Sequence, residues 1–164
     1  MLDPPMAERT DEGPGGRDLP APKQEFYAHA GHAEVTDSVV RFAFAQADAA
    51  GRKARAVMGI DIPTHLIEPI ADTFDDAFRS ALADAVRLYP GPPLELDLDT
   101  QYHSTASPAH LVRIVVATHA AVLDFYRLEI GGAAMTPVVR VRAFPPVAAW
   151  FATVCDSILA KGKK

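Results

Sequence analysis

The sequence predicts an α+β fold, in which an antiparallel β-sheet carries two amphipathic helices on one face. Three observations lead to this prediction. Two stretches place apolar residues at helical spacing, several shorter stretches alternate apolar and polar residues as half-buried strands do, and turns rich in proline and glycine separate them. The order strand, strand, strand, helix occurs twice. We therefore predict a pseudo-duplicated unit, first at residues 25–90 and again at residues 94–164.

The second unit gives the clearer signals. Residues 111–116 are rich in β-branched side chains and predict a strand. Residues 122–130 alternate with a slip near Tyr126, which predicts a second strand with a bulge. Residues 139–142 predict a third, antiparallel strand, and a pair of prolines ends it. Apolar residues then recur every three or four positions over 147–159, which predicts the closing helix.

The first unit repeats this order with weaker signals. Residues 26–36 predict a short first strand, residues 39–45 a second and residues 54–62 a third. Apolar residues recur at helical spacing over 64–89 and predict one long helix. Residues 94–99 alternate leucine with acidic residues and predict an extra strand between the two units.

The composition favours one globular domain. The chain has 164 residues, of which 49% are hydrophobic, and this is enough for one core but too little for two ordinary domains. We therefore predict a single domain over residues 25–164. Residues 1–24 combine prolines, glycines and charged residues with few aliphatic side chains, and this composition predicts a disordered leader.

Charge and hydropathy argue against several classes of function. The formal net charge is −5 and the pI is near 5.6, which gives no basic surface for nucleic acid or an anionic membrane. No apolar run approaches the ~18 residues of a membrane span, and the N-terminus lacks the order of a signal peptide. The one cysteine, Cys155, falls in the second helical pattern and predicts a buried, reduced thiol. We expect a cytoplasmic protein.

Short motifs in both units resemble a known family. Residues 27–29 (Tyr-Ala-His), the strand after them and residues 123–126 (Leu-Asp-Phe-Tyr) are similar to a family of short bacterial domains known as domain of unknown function 3467, although His29 stands where that family tends to have Asn. The resemblance covers one unit at a time. Residues 94–100 and the strands after them also resemble SecB-type export chaperones. That resemblance implies a twisted antiparallel sheet with helices on one side, and oligomers that hold unfolded chains in apolar grooves.

The polar residues offer candidates for an acid/base cluster and for a zinc site, but the sequence favours neither. Asp97 and Asp99 would project from one face of an extended strand and would form an acid/base cluster with His103. Alternating leucine and aspartate is, however, typical of any half-exposed strand. Six histidines invite a zinc site, but the sequence does not bring three or four ligands to one point. We therefore expect no metal and no cofactor. Arg140 and Arg142 share one strand face and would meet solvent or an acidic partner.

Large apolar residues give the remaining functional signal. We expect more of them than one sheet and two helices can cover, and an antiparallel sheet with open edges favours pairing with another chain. The sequence thus predicts a non-enzymatic, cytoplasmic protein-binding module that self-associates, with a chaperone- or adaptor-like role. The alternative is a small-molecule or metal-assisted enzyme that uses the Asp97, Asp99 and His103 cluster. The predicted partner-binding residues are Phe42, Phe44, Phe125, Leu128, Trp150 and Phe151.

Overall fold

A computed structural model describes residues 19–47, 53–90, 95–97, 106–117, 119–129 and 134–162. Nine strands and three α-helices lie within these ranges, and a 3₁₀ helix at Thr64–Leu66 precedes the first of them. The strands are β1 (Glu25–Ala28), β2 (Ala30–Val35), β3 (Val39–Ala47), β4 (Lys53–Pro63), β5 (Glu95–Asp97), β6 (Ser107–Pro108), β7 (Leu111–Val116), β8 (Ala121–Leu128) and β9 (Met135–Ala143). The helices are α1 (Ile67–Ala71), α2 (Asp76–Leu88) and α3 (Pro145–Gly162).

The strands form two sheets, and the predicted α+β class is confirmed. Sheet I has the strand order β2-β3-β4-β5, with β6 also paired to β4, and sheet II has the order β1-β9-β8-β7. Neighbours within β2-β3-β4 and within β7-β8-β9 are antiparallel, as the alternation in the sequence predicts. The strands β1, β5 and β6 instead pair in parallel. Both sheets are therefore mixed at one side.

Each sheet takes a short strand from the other half of the chain. Strand β1 precedes sheet I in sequence but pairs with β9 of sheet II, where Phe26 lies opposite Val141. Strand β6 precedes sheet II but pairs with β4 of sheet I, where Ser107 lies opposite Ile60. Backbone hydrogen bonds therefore link the two halves in both directions. The predicted first strand over residues 26–36 is correspondingly divided in two, because the chain crosses between the sheets at residue 29.

A histidine stands where the chain crosses from sheet II to sheet I. The His29 N–H donates to the carbonyl oxygen of Ala45 at 2.8 Å, and the Ala47 N–H donates to Nδ1 of His29 at 3.1 Å. The imidazole thus supplies a hydrogen-bond acceptor to the end of β3, where the chain that precedes β2 has crossed to the other sheet. Such a replacement matters because an unpaired backbone donor away from water is costly.

The same arrangement recurs at the second crossing. The His110 N–H donates to the carbonyl oxygen of Tyr126 at 2.8 Å, and the Leu128 N–H donates to Nδ1 of His110 at 2.8 Å. Each of these residues lies 81 positions after its counterpart in the first half. The register shifts after Phe44 and Phe125 are separated by the same number, and the second confirms the predicted bulge near Tyr126. The contacts therefore repeat, whereas an origin by duplication stays a prediction.

Helix α3 lies between the inner faces of the two sheets. The Phe151 ring centroid is 4.5 Å from that of Phe42 in sheet I and 5.9 Å from that of Phe125 in sheet II. Phe44 and Phe125 also meet directly across the sheets at 5.8 Å. One continuous core results. Cys155 is fully buried in it, as predicted.

The prediction of one long helix over residues 64–89 is wrong, because the chain turns between α1 and α2. The Thr73 hydroxyl donates to the carbonyl oxygen of Ile70 at 2.7 Å, which gives the backbone a local alternative to the helical ladder. Asp75 then caps α2 by accepting the Phe78 N–H at 2.8 Å. Pro69 lies in the first turn of α1, where proline is tolerated.

Two further predictions fall partly on undescribed residues. Residues 1–18 of the predicted leader lie outside the described ranges, while residues 19–24 contain no helix or strand. The predicted strand over 94–99 is described only as β5, which runs parallel to the start of β4. None of the helices in the described ranges is long and apolar enough to cross a membrane.

Candidate functional site

An open groove runs between helices α2 and α3. Its volume is about 370 Å³, which falls at the lower end of the range for small-ligand pockets. Mostly apolar and small side chains line it, so the space comes from side chains too short to fill the gap between the helices. The residues that line it are Arg79, Leu82, Ala83 and Val86 of α2, and Ala149, Ala152, Thr153 and Asp156 of α3.

An ion pair joins the two helices at one end of the groove. Two hydrogen bonds connect Arg79 and Asp156, from Nη1 to Oδ2 at 2.8 Å and from Nη2 to Oδ1 at 3.1 Å. These hydrogen bonds raise the pKa of Arg79 above its usual value. Both side chains are more than 40% exposed, so the pair contributes little to stability. Its main effect is to connect the two helices across one end of the groove.

The sequence positions Arg79 through the turn before α2. The Phe74 ring stacks on that of Phe78, with centroids 5.1 Å apart. The Arg79 guanidinium lies 5.8 Å from the Phe74 centroid, and its Nε donates to the Phe74 carbonyl oxygen at 3.0 Å. Arg79 is thereby held by a ring, a carbonyl group and a carboxylate. Fixed polar groups beside an apolar channel are the usual means by which a binding site sets orientation.

Sheet II carries a second polar cluster on its outer face. Asp124 of β8 is only 2% exposed and accepts hydrogen bonds from Arg140 at 2.7 and 2.9 Å and from Arg113 at 3.2 Å. Arg113 Nη2 also donates to the Tyr126 hydroxyl oxygen at 2.8 Å. Burial raises the pKa of Tyr126 above its usual value. The sequence did not reveal this cluster, because Asp124 looks like an ordinary polar residue of an alternating strand.

This cluster is satisfied internally and offers no vacant group for chemistry. No buried side-chain nitrogen or oxygen within the described residues lacks a hydrogen-bond partner. Arg140 and Arg142, which the sequence suggested for an acidic partner or solvent, bind Asp124 and Glu25 of the same chain. The cluster therefore holds β7, β8 and β9 together across the face of the sheet, with Arg142 fastening β1 to β9.

The structure divides the six predicted partner-binding residues. Four of them are fully buried, namely Phe42, Phe44, Phe125 and Phe151. They form the core between the sheets, so their rings cannot reach a partner while the fold is closed. Trp150 is partly buried against the core. Leu128 is 41% exposed at the end of β8, and it alone of the six presents a large free apolar surface.

The residues of the predicted acid/base cluster are not brought together in the described part of the chain. Asp97 ends β5, whereas Asp99 and His103 lie outside the described ranges. Across the described ranges no group of three or more His, Cys, Asp or Glu side chains is placed to hold a metal ion. His29 and His110 instead accept backbone hydrogen bonds through Nδ1. The enzyme alternative therefore stays a prediction without a geometric site.

Comparison of the chain with protein-family models, with curated proteins and with solved structures finds no match. The resemblances to domain of unknown function 3467 and to SecB-type chaperones therefore stay predictions.

Proposed function

We propose that this protein is a non-enzymatic polypeptide-binding module of the cytoplasm, that it acts as a homo-oligomer, and that its role is chaperone- or adaptor-like. The observation that carries the proposal is the apolar groove between α2 and α3. The groove takes apolar side chains of an unfolded or partner chain, presented from a helix or an extended segment. The fixed Arg79–Asp156 pair at one end orients the bound segment.

The chemistry of the groove favours a peptide over a charged small molecule. Leu82, Val86 and the small residues of α3 offer apolar surface, and the two charges at the end of the groove neutralise each other. Helix-in-groove recognition uses such a channel, in which affinity comes from apolar anchors at helical spacing. Ala83 and Thr153 are exposed at the groove, which makes its wall accessible to a ligand.

The proposal is tested by titrating the full chain with a reduced, carboxymethylated secreted protein that cannot refold. Binding is measured by fluorescence anisotropy of the labelled client. The variant Ala83→Glu places a charge on the groove wall and should weaken binding about tenfold or more, since a charge in an apolar contact is costly to desolvate. The matched control Ala81→Glu alters another exposed alanine of α2 that does not line the groove.

The control variant should bind the client as the wild-type chain does. Circular dichroism of both variants verifies that the helix is intact, so a loss of binding reports the groove. If the wild-type chain ignores the client and short apolar peptides alike, the polypeptide-binding function is wrong. Equal weakening by both substitutions would place binding elsewhere on the protein.

A further inference from the structure

We infer that strand β7 is the surface through which two copies of this chain pair, joining their second sheets edge to edge about a two-fold axis at Ile114. The inference deepens the proposed function by naming the interface of the oligomer. It rests on the oligomeric part of that function only. Peptide binding at the α2–α3 groove is measured independently, so either can fail alone.

The hydrogen-bond pattern shows which backbone groups of β7 face outwards. The Ala117 N–H donates to the Ala120 carbonyl oxygen at 2.8 Å, which makes these two residues a hydrogen-bonded pair next to the β7–β8 ladder. Such pairs alternate along an antiparallel ladder. The N–H and C=O groups of Leu111, Arg113 and Val115 therefore bond to β8, and those of the even-numbered residues point away from it.

No strand within the described residues pairs with this outer side of β7. The outward-facing backbone groups belong to Val112, Ile114 and Val116, whose side chains pack against or within the core. Edge strands are usually protected by a proline, a lysine, an inward-pointing charge or a covering helix or loop. Helix α2 contacts β7 and also packs on α3, so it meets the core-facing side of the strand. The sequence of β7, Leu-Val-Arg-Ile-Val-Val, has only Arg113, and its guanidinium is turned onto Asp124 and Tyr126.

A second copy fits this edge because one register satisfies both the backbone and the charges. Residues opposite each other in an antiparallel pair lie on the same face of the sheet. If Ile114 faces Ile114 of the second copy, Val112 faces Val116, and every outward N–H and C=O from residue 112 to 116 has a partner. Arg113 then lies opposite Val115 on the outer face. A shift of the axis to Arg113 would place two arginines opposite each other and leave Val116 without its strand partner.

The edge also suits a second copy electrostatically. The chain has a net charge of −5, so two copies repel each other over most orientations. Strand β7 has no acidic residue, so pairing there brings no carboxylates of the two edges together, whereas β2 carries Glu34. The other six-residue edge, β2, consists of Ala-Gly-His-Ala-Glu-Val and offers much less branched apolar surface to bury.

The experiment needs no substitution in its first step. The mass of the full chain is measured by light scattering over a dilution series, and amide hydrogen exchange is followed by NMR at both ends of that series. We expect a dimer in which the amides of Val112, Ile114 and Val116 are protected and lose protection on dilution. The amides of Arg113 and Val115 should stay protected throughout, because they bond to β8 within one copy.

A matched pair of variants then tests the register. Val115→Lys places a positive charge opposite Arg113 of the second copy at two equivalent positions, whereas Val115→Glu places a negative charge there. The lysine variant should dimerise about tenfold more weakly than the glutamate variant. The interface is wrong if the chain is monomeric, if it dimerises while the Val112 and Ile114 amides exchange freely, or if these amides become protected only when an added peptide binds. Equal dimerisation of the two variants would overturn the register.

Discussion

Replacing Gly31 with alanine should push Trp150 out of its site and loosen the attachment of α3 to sheet I. A methyl group at Gly31 would lie within 2.7 Å of three carbon atoms of the Trp150 ring, closer than van der Waals contact allows. The ring cannot swing aside easily, because its centroid lies 5.8 Å from that of Phe42 and 5.7 Å from that of Phe44 in edge-on contacts. Either the indole or strand β2 has to move.

The expected cost follows from two opposing effects. An extra methyl group in a well-packed core costs about 1–3 kcal/mol, while replacing a glycine inside a strand with alanine returns about 0.5–1 kcal/mol. The free energy of unfolding should therefore fall by about 1–2 kcal/mol. For a domain of this size, with a urea dependence of about 1–3 kcal/mol per M, the unfolding midpoint should fall by roughly 0.5–1 M.

A double-mutant cycle with Trp150→Leu identifies the cause. Unfolding of all four proteins is followed by far-UV circular dichroism, because Trp150 is the one tryptophan of the chain and the leucine variants lack its fluorescence. Gly31→Ala should destabilise the wild-type chain but cost little in the Trp150→Leu background, where the smaller side chain leaves room for the methyl group. If the cost is the same in both backgrounds, the contact between Gly31 and Trp150 does not explain it.

Three further predictions concern polar and sulfur groups that are buried or partly buried. Asp124→Asn leaves two arginines beside a neutral side chain and should lower the free energy of unfolding, measured with urea, by about 3 kcal/mol. The control Asp84→Asn, at an exposed ion pair, should lower it by under about 0.5 kcal/mol. Equal losses of stability would contradict the role of Asp124. Burial raises the pKa of Cys155 to about 12, above the usual ~8.5 of a thiol, so the contribution of this thiol to stability is complete below about pH 8.5 and is lost as the pH rises towards 12. The fall in unfolding free energy over that pH range should be shallower in Cys155→Ala. Rapid alkylation of the folded thiol at pH 8 would refute its burial. His29→Leu removes the acceptor of the Ala47 N–H and should lower the free energy of unfolding by about 1–3 kcal/mol. His29→Asn keeps an acceptor near that position and should lower it clearly less. Similar thermal midpoints for the two variants would show that this hydrogen bond is unimportant.

Local patterns in the sequence predicted most of the elements. The alternation over residues 122–130 predicted both β8 and its bulge, because the side-chain period of a strand is visible residue by residue. The break before α2 was missed, although Asp75 carried the signal. Aspartate is a typical N-cap residue, and Asp75 directly precedes the first residue of α2. The apolar periodicity, however, continues from α1 through α2 and hides the turn between them.

Local patterns do not predict which strands pair with one another. Nothing in the sequence of β1 indicates that Phe26 lies beside Val141, because a strand's own alternation does not specify its neighbour. The same gap explains why the sequence predicts a partner surface at four phenylalanines that the fold buries. A helix that packs between two sheets can cover rings from both, and the position of Phe151 between Phe42 and Phe125 depends on that arrangement. The groove was missed for a related reason, since it exists only where α2 and α3 lie side by side.

The two equivalent edge strands, neither of which has a further strand partner among the described residues, differ in the side chains that they carry. Strands β2 and β7 correspond when the halves are compared at the 81-residue offset, and Val112 stands where the first half has Gly31. Gly31 lets the Trp150 ring of α3 lie directly on β2. At the position equivalent to Trp150, helix α1 has Pro69, so the contact between a glycine and an indole ring is not repeated there. Burying branched side chains such as Val112 and Ile114 is favourable in proportion to their apolar area, and the small residues of β2 offer little of it. Two strands with equivalent positions in the fold therefore differ in the apolar surface that they offer, which is why the proposed interface lies at β7 and not at β2.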